Sequence, residues 1–326
     1  MEVTRRQAVA GLCAYGTVAV LGPANSASYL DILAQREGFG HDSIGGRDGP
    51  LVMVTSLADS GPGTLREALE LENRWIRFAS NMVGTIRVSS TMYMKARQTI
   101  DGRGARIRIM GNGKNLGPLR IHNCRDVILL NLNFDDGFSE WEHDSEGADG
   151  ITVSGTNNLW IHRCRFSRWS DGGVDLTGKR SENVSITGCR FEMLWQACAL
   201  HAHKATVAHN HFTYCGGRAP KAITGFVHSY NNLIERWKNA SIQGSTHKGQ
   251  LLSEHNVFRP APWTDGNIYN QVDDSVNDSG RIYNKGHYVI GKVKFLGSNS
   301  SLDRSLTSQA RSLARMKTAK TLWHDV

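Results

Sequence analysis

The chain has 326 residues, 40% of them apolar and only 7 proline, enough for one large core and with no compositional reason to split into two domains. Its formal charge of +8, from 38 Lys and Arg against 30 Asp and Glu, favours a polyanionic partner but does not choose among acidic polysaccharide, nucleic acid and anionic membrane. The 34 glycines, with many Asn and Ser residues, suit short strands joined by tight corners.

The N-terminus has the layout of an export signal. Arg5-Arg6 in Thr4-Arg5-Arg6-Gln7 fits the twin-arginine type, an apolar run covers 8–22, and small residues follow at Ser26-Ala27-Ser28. Residues 1–28 are therefore expected to be a removable leader on a secreted, monomeric protein; the alternative is a short apolar helix capping the open end of the fold. No other apolar run approaches the ~20 residues needed to span a bilayer, so neither a membrane nor, with the motifs below, a nucleic acid is the expected partner. Val52 to Thr55 reads as a strand and 59–63 as a turn. Thr64 then caps a short helix, with Glu67 at the capping-box position. Apolar alternation returns at 75–78 and 85–88, and 99–104 reads as a strand ending in a Gly corner.

From about residue 107 one segment recurs: two apolar residues alternating with polar ones, then Cys or Asn, then Phe. It appears as NLWIHRCRF, ENVSITGCRF and KATVAHNHF, with weaker copies VILLNLNF, FVHSYNNL and LLSEHNVF. The last residues of the copies fall at 134, 166, 191, 212, 233 and 258. A repeat of this length built on a short period-two strand predicts an all-β solenoid, each coil burying its apolar row on the next. Asn210, Asn231 and Asn256, each two before the marker, are expected to form an amide ladder inside a turn. Cys164 and Cys189, at one repeat position, are expected to be buried free thiols. No cysteine spacing suits zinc. Past Phe258 the beat weakens: 260–282 reads as a long loop, and 301–326, with Arg304, Arg311, Arg315, Lys317 and Lys320, as a basic helical tail packed along the solenoid with a solvated charged face.

Several polar residues keep the same beat. Asp149 lies 17 before Phe166, Asp175 lies 16 before Phe191, Gln196 lies 16 before Phe212 and Arg218 lies 15 before Leu233. At a coil spacing of about 4.8 Å, Asp149 should face Asp175 on neighbouring coils, and Arg218 should sit two coils beyond, roughly 10 Å away. Asp171 falls on the entering bend. Three carboxylates with no thiolate or imidazole beside them favour a hard cation such as calcium. The plainer alternatives are aspartates that only turn corners and an arginine that is only a rim cation.

The order and period of VTSLADSGPGTLREAL, TIDGRG, ADGITV, NLWIHRCRFS, DGGVDLT, NVSITGCRF, VAHNHF, RAPK (218–221) and VHSYNN resemble pectate lyase family 1 over roughly residues 45–260. The resemblance implies a single-stranded right-handed parallel β-helix, to which the residues add a short N-terminal helix and a C-terminal helical tail. It also implies Ca²⁺ held by Asp149, Asp171 and Asp175, and Arg218 as the proton-abstracting group. A guanidinium is protonated at ordinary pH, so either a cationic cluster and the metal shift it, or it stabilises charge while hydroxide or water takes the proton. The implied activity is calcium-dependent β-elimination on an acidic uronate polymer, polygalacturonate first. A polygalacturonase-type hydrolase and a non-catalytic or virion-spike carbohydrate binder stay open. Three positions depart from the family pattern: Gln196 where it has a substrate-gripping lysine, Ile223 where a second arginine follows, and His162 in place of an aspartate. Lys221 and Lys204 are the nearby cations that could substitute, so Gln196, Lys221 and Lys204 are the expected substrate contacts.

Overall fold

The computed structural model describes residues 19–23, 27–111, 115–137, 147–238, 242–246, 248–264, 267–269, 271–272, 280–296 and 298–319. The expected leader lies mostly outside these, as do Lys320 and much of the 260–282 loop. The strands wind into a right-handed parallel β-helix of about 8 turns. Each coil contributes to three faces. The first face carries Leu119–His122, Ile151–Ser154, the start of Gly172–Thr187, the middle of Arg190–Ala208 and the start of Lys221–Tyr230. The second carries Arg125–Leu130, Asn157–His162 and the later parts of those same long strands. The third carries Asn133–Asp135, Arg165–Ser167, the start of Arg190–Ala208, and His211–Gly217.

Period-two alternation sends one row of each face inward, where like stacks on like. Phe134, Phe166, Phe191 and Phe212 are fully buried and form a continuous stack, with ring centroids 5.3, 5.1 and 4.8 Å apart; aromatic pairs of this kind add about 0.5–1.5 kcal/mol each beyond their area. The next member is Ile234, in register with Phe212, and not Leu233. The same one-residue correction applies to the amide ladder, which runs Asn210, Asn232, Asn256: Asn210 Nδ2 donates to Asn232 Oδ1 (3.0 Å), and Asn232 Nδ2 to Asn256 Oδ1 (2.9 Å). Asn231 instead exchanges two hydrogen bonds with the backbone of Lys317 (2.6 and 2.7 Å). Cys164, Cys189, Cys198 and Cys215 are buried free thiols, and burial pushes Cys189, Cys198 and Cys215 up, Cys215 to about 12.

The outer side of the second face is covered by both ends of the chain. Helix α1 (Ala27–Leu33) packs Tyr29, Ile32 and Leu33 against Trp75, Ile128 and Trp160. Beyond it Phe39 N donates to Thr206 Oγ1 (3.0 Å) and Gly40 N to Ser185 Oγ (2.8 Å), strapping the segment across two coils. Helix α2 (Leu65–Ala68) starts as its sequence signals: Thr64 Oγ1 accepts from Glu67 N, while the Glu67 carboxylate accepts from Gly63 N. Helix α3 (Arg304–Ser312), capped by Asp303, lays Ala310 against Phe39, Phe226 and Leu252. Its Arg311 departs from the solvated face expected of this tail, reaching the buried Glu254 at 2.7 Å opposite His228. These two partners hold Glu254, despite its burial, down at about 2.

Candidate active site

On the first face, inward residues form an aliphatic column: Ile121, Val153, Leu176, Leu200 and Ala222. The alternate, outward column runs Arg120, Thr152, Asp175, Ala199, Lys221. Asp175 is thus in register with Thr152, not with Asp149. Asp149 stands in the entering bend of its coil, opposite Gly172, and Gly172 is in turn opposite Gln196, which faces Gly217. Asp171 is one residue before Gly172, its N–H donating to Ala148 O (3.2 Å). In the corrected geometry Asp149 bends across the bare backbone of Gly172, toward the coil of Asp171 and Asp175. A Cβ at position 172 would lie 2.6 Å from Asp149 Oδ1. The Gly172 N–H donates to that carboxylate.

Arg218 ends the strand His211–Gly217 with a left-handed backbone (φ 55°), and its carbonyl accepts from Cys198 N (2.7 Å). It lies three residues before Lys221, the residue two coils on from Asp175 in the outward column. Burial first, then the charges of Asp175 and Asp171, push Asp149 well above the usual carboxylate range; the Gly172 N–H and Arg218 oppose this. Asp175 is raised to about 6, by burial first and by Asp171, against the lowering pull of Arg218. Asp149, Asp171, Asp175 and Arg218 therefore share one electrostatic neighbourhood.

Among the described residues no three His, Cys, Asp or Glu side chains are grouped closely enough to hold a metal ion as they stand. The donor set nevertheless fits one kind of ion. Partly buried carboxylate oxygens that raise one another's pKa would be relieved by a hard cation, and calcium accepts an incomplete protein shell completed by water and ligand.

The remaining expected residues divide. Gln196 and Lys221 belong to the same face, both half-buried. Lys204 does not join them: it has turned the corner onto the second face, in register with Phe226, with its ammonium 3.7 Å from Glu182 and over the Phe39 ring. Ile223 is the extra residue at a register shift between Ala222 and Thr224. His162 is structural, stacked on Trp160 (4.6 Å), with Nδ1 2.8 Å from Thr187 Oγ1 and its pKa lowered to about 4 chiefly by burial. Sequence reasoning passed over Trp195, next to Gln196. Lys238 lies over its ring at 5.3 Å, and beside it Tyr214 has Arg236 at 5.5 Å and Trp263 at 6.3 Å. These aromatics keep no repeat, so periodicity did not mark them.

A parallel β-helix with a cluster of carboxylates and an arginine on one outward face defines a class of polysaccharide-cleaving solenoid. The family model described as pectate lyase matches residues 79–286. Pectate lyase 1 of Cryptomeria japonica is 32% identical over 301 residues, covering 80% of this chain and 78% of that protein. Pectate lyase 1 of Ambrosia artemisiifolia is 32% identical over 252 residues, covering 68% and 61%. Among solved structures, Jun a 1, the major allergen from cedar pollen, superposes with a TM-score of 0.71 at 25% identity, covering 88% of this chain and 90% of that one. The chain belongs to the pectate lyase family and is a polysaccharide lyase.

Proposed function

We propose that this protein cleaves polygalacturonate, or a closely related uronate polymer, by calcium-dependent β-elimination, with Asp149, Asp171 and Asp175 holding the metal and Arg218 acting at the scissile residue. The observation that carries this reading is the shared neighbourhood of three mutually repelling carboxylates and one arginine on a single face. A pectate lyase of the same fold, from Bacillus sp. N165, was solved in complex with trigalacturonate (TM-score 0.51, 16% identity), which supports an acidic oligosaccharide as the ligand class.

Calcium bound there supplies positive charge that neutralises a uronate carboxylate and so favours loss of the adjacent C5 proton. The chain's own residues do the rest. Asp149, leaning over Gly172, and Asp175, in the outward column, would hold the ion together with Asp171. Arg218 faces the sugar from two coils away and stabilises the charge that develops as a solvent hydroxide or water takes the C5 proton; the C4–O4 bond then breaks, a C4–C5 double bond forms, and the leaving O4 takes a proton from solvent, so that protons balance. No water is consumed. Gln196 and Lys221 contact neighbouring sugars, and Gln196, being neutral, grips a carboxylate more weakly than a lysine would. The export layout of residues 1–28 supports action outside the cell, on polymer.

A second reading has one observation in its favour: a carboxyl raised to about 6, as at Asp175, suits a general acid, which a hydrolase would need. The metal assignment is tested by calorimetry. Asp175→Asn should weaken calcium binding at least tenfold with an unchanged melting temperature, whereas wild-type affinity in the variant would remove Asp175 from the site.

A further inference from the structure

The formal charge of +8 is not used by the site, where carboxylates outnumber cations. Much of it is collected on the third face. There the outward column runs Arg108, Asn133, Arg165, Arg190, His211 in strict register. Four coil steps at about 4.8 Å make this row ~19 Å long. Arg106 and Arg163 stand two residues before Arg108 and Arg165 and line the same concavity, a groove of about 440 Å³ that also takes in Arg190 and no acidic residue.

Part of the row is held in place from behind. Glu192 bridges Arg165 (2.8 Å) and Arg190 (3.0 Å), and Asp135 O accepts from Arg108 Nε (2.9 Å). Arg106 and Arg163 are exposed and make no ion pair among the described residues. Five guanidinium groups against these two acids leave an excess of positive charge, pre-oriented by the buried aromatic stack beneath. Solvated single charges scattered over a surface need no explanation, but a groove lined by five arginines on three of its four coils does. The coil spacing is comparable to the length of one pyranose unit, so successive uronate carboxylates can meet successive coils.

We infer that this groove is a second, non-catalytic binding site for a linear uronate polymer, running parallel to the solenoid axis on the face next to the active site. The choice of a uronate polymer over other polyanions rests on the function proposed above; the existence of the groove does not. Such a site would keep the enzyme on its polymer between cleavage events, and its binding should fall steeply with salt because both partners shed counterions.

The test is electrophoresis in gels containing polygalacturonate, at low salt and with chelator present so that polymer is not consumed. Wild type and Arg281→Gln, which removes an exposed arginine from the second face, should be retarded alike. The double variant R106E/R163E should bind at least tenfold more weakly, and R106Q/R163Q should fall in between, with melting temperatures near wild type for both. Undiminished retardation of R106E/R163E overturns the proposal. A loss of equal size on duplex DNA would overturn the assignment to a uronate polymer. If polygalacturonate proves not to be cleaved, retardation that still depends on Arg106 and Arg163 would leave the groove standing while the lyase reading falls.

Discussion

Asp149 fills the space that a side chain at Gly172 would need. Its Oδ1 lies 2.6 Å from the position of a Cβ on Gly172, whose N–H also donates to the carboxylate. One coil's carboxylate is thus positioned by the next coil's missing side chain, the first glycine of DGGVDLT.

Gly172→Ala should therefore swing Asp149 away from Asp171 and Asp175 without disturbing the buried columns. Calcium affinity and turnover are expected to fall at least tenfold, and the melting temperature to move by no more than a few degrees. Titration calorimetry beside thermal denaturation measures both. Unaltered calcium affinity would show that Asp149 does not need this approach.

The raised pKa of Asp175 gives a signed pH dependence. A carboxyl whose folded value is about 6 against an ordinary 3.8 favours the fold while protonated, and that contribution is lost as pH rises from about 4 through 6. The metal-free protein should accordingly lose stability over this window. Calcium should reverse the trend, because protons compete with it: the melting-temperature gain on adding calcium is expected to be small at pH 5 and several degrees at pH 8. A gain independent of pH would argue against carboxylate ligands of raised pKa.

Arg218 can be an ion-pair partner or a participant in the reaction, and a conservative change separates the two. Arg218→Lys keeps the charge but loses the planar fork. For a participant, turnover should drop by about a hundredfold or more, the scale seen on removing one positioned transition-state contact, at near-wild-type stability and calcium affinity. Retention of most of the turnover would show that Arg218 is not the group that stabilises the developing charge.

Much of the fold was readable because the core repeats itself: the stack Phe134, Phe166, Phe191, Phe212 recurs in sequence coil after coil and in space at ring separations of 5.3, 5.1 and 4.8 Å. The errors arise where that ruler crosses a bend of variable length. Leu233-Ile234 and Asn231-Asn232 offer two adjacent residues for one slot, and only packing shows that Ile234 and Asn232 take it, while Asn231 is claimed by the C-terminal tail. Counting back from Phe191 to Asp175 crosses the register shift between Leu176 and Ser181, so the expected pairing with Asp149 is displaced and Asp175 meets Thr152 instead. Lys204 was placed at the site for a similar reason: the corner after Leu200 carries it onto the second face. The strap at Phe39 and the Glu254–Arg311 pair join residues far apart in sequence and keep no period, so nothing in the text announced them.

The central claim is that the carboxylate face drives elimination and not hydrolysis. The most direct measurement is ultraviolet absorbance during digestion of polygalacturonate, with calcium and with chelator, alongside chain length. The account predicts a calcium-dependent rise in absorbance from the C4–C5 double bond, abolished by chelator and nearly absent in Arg218→Lys. Shortening of the polymer with no rise in absorbance would contradict it and assign Asp175 and its neighbours to hydrolysis.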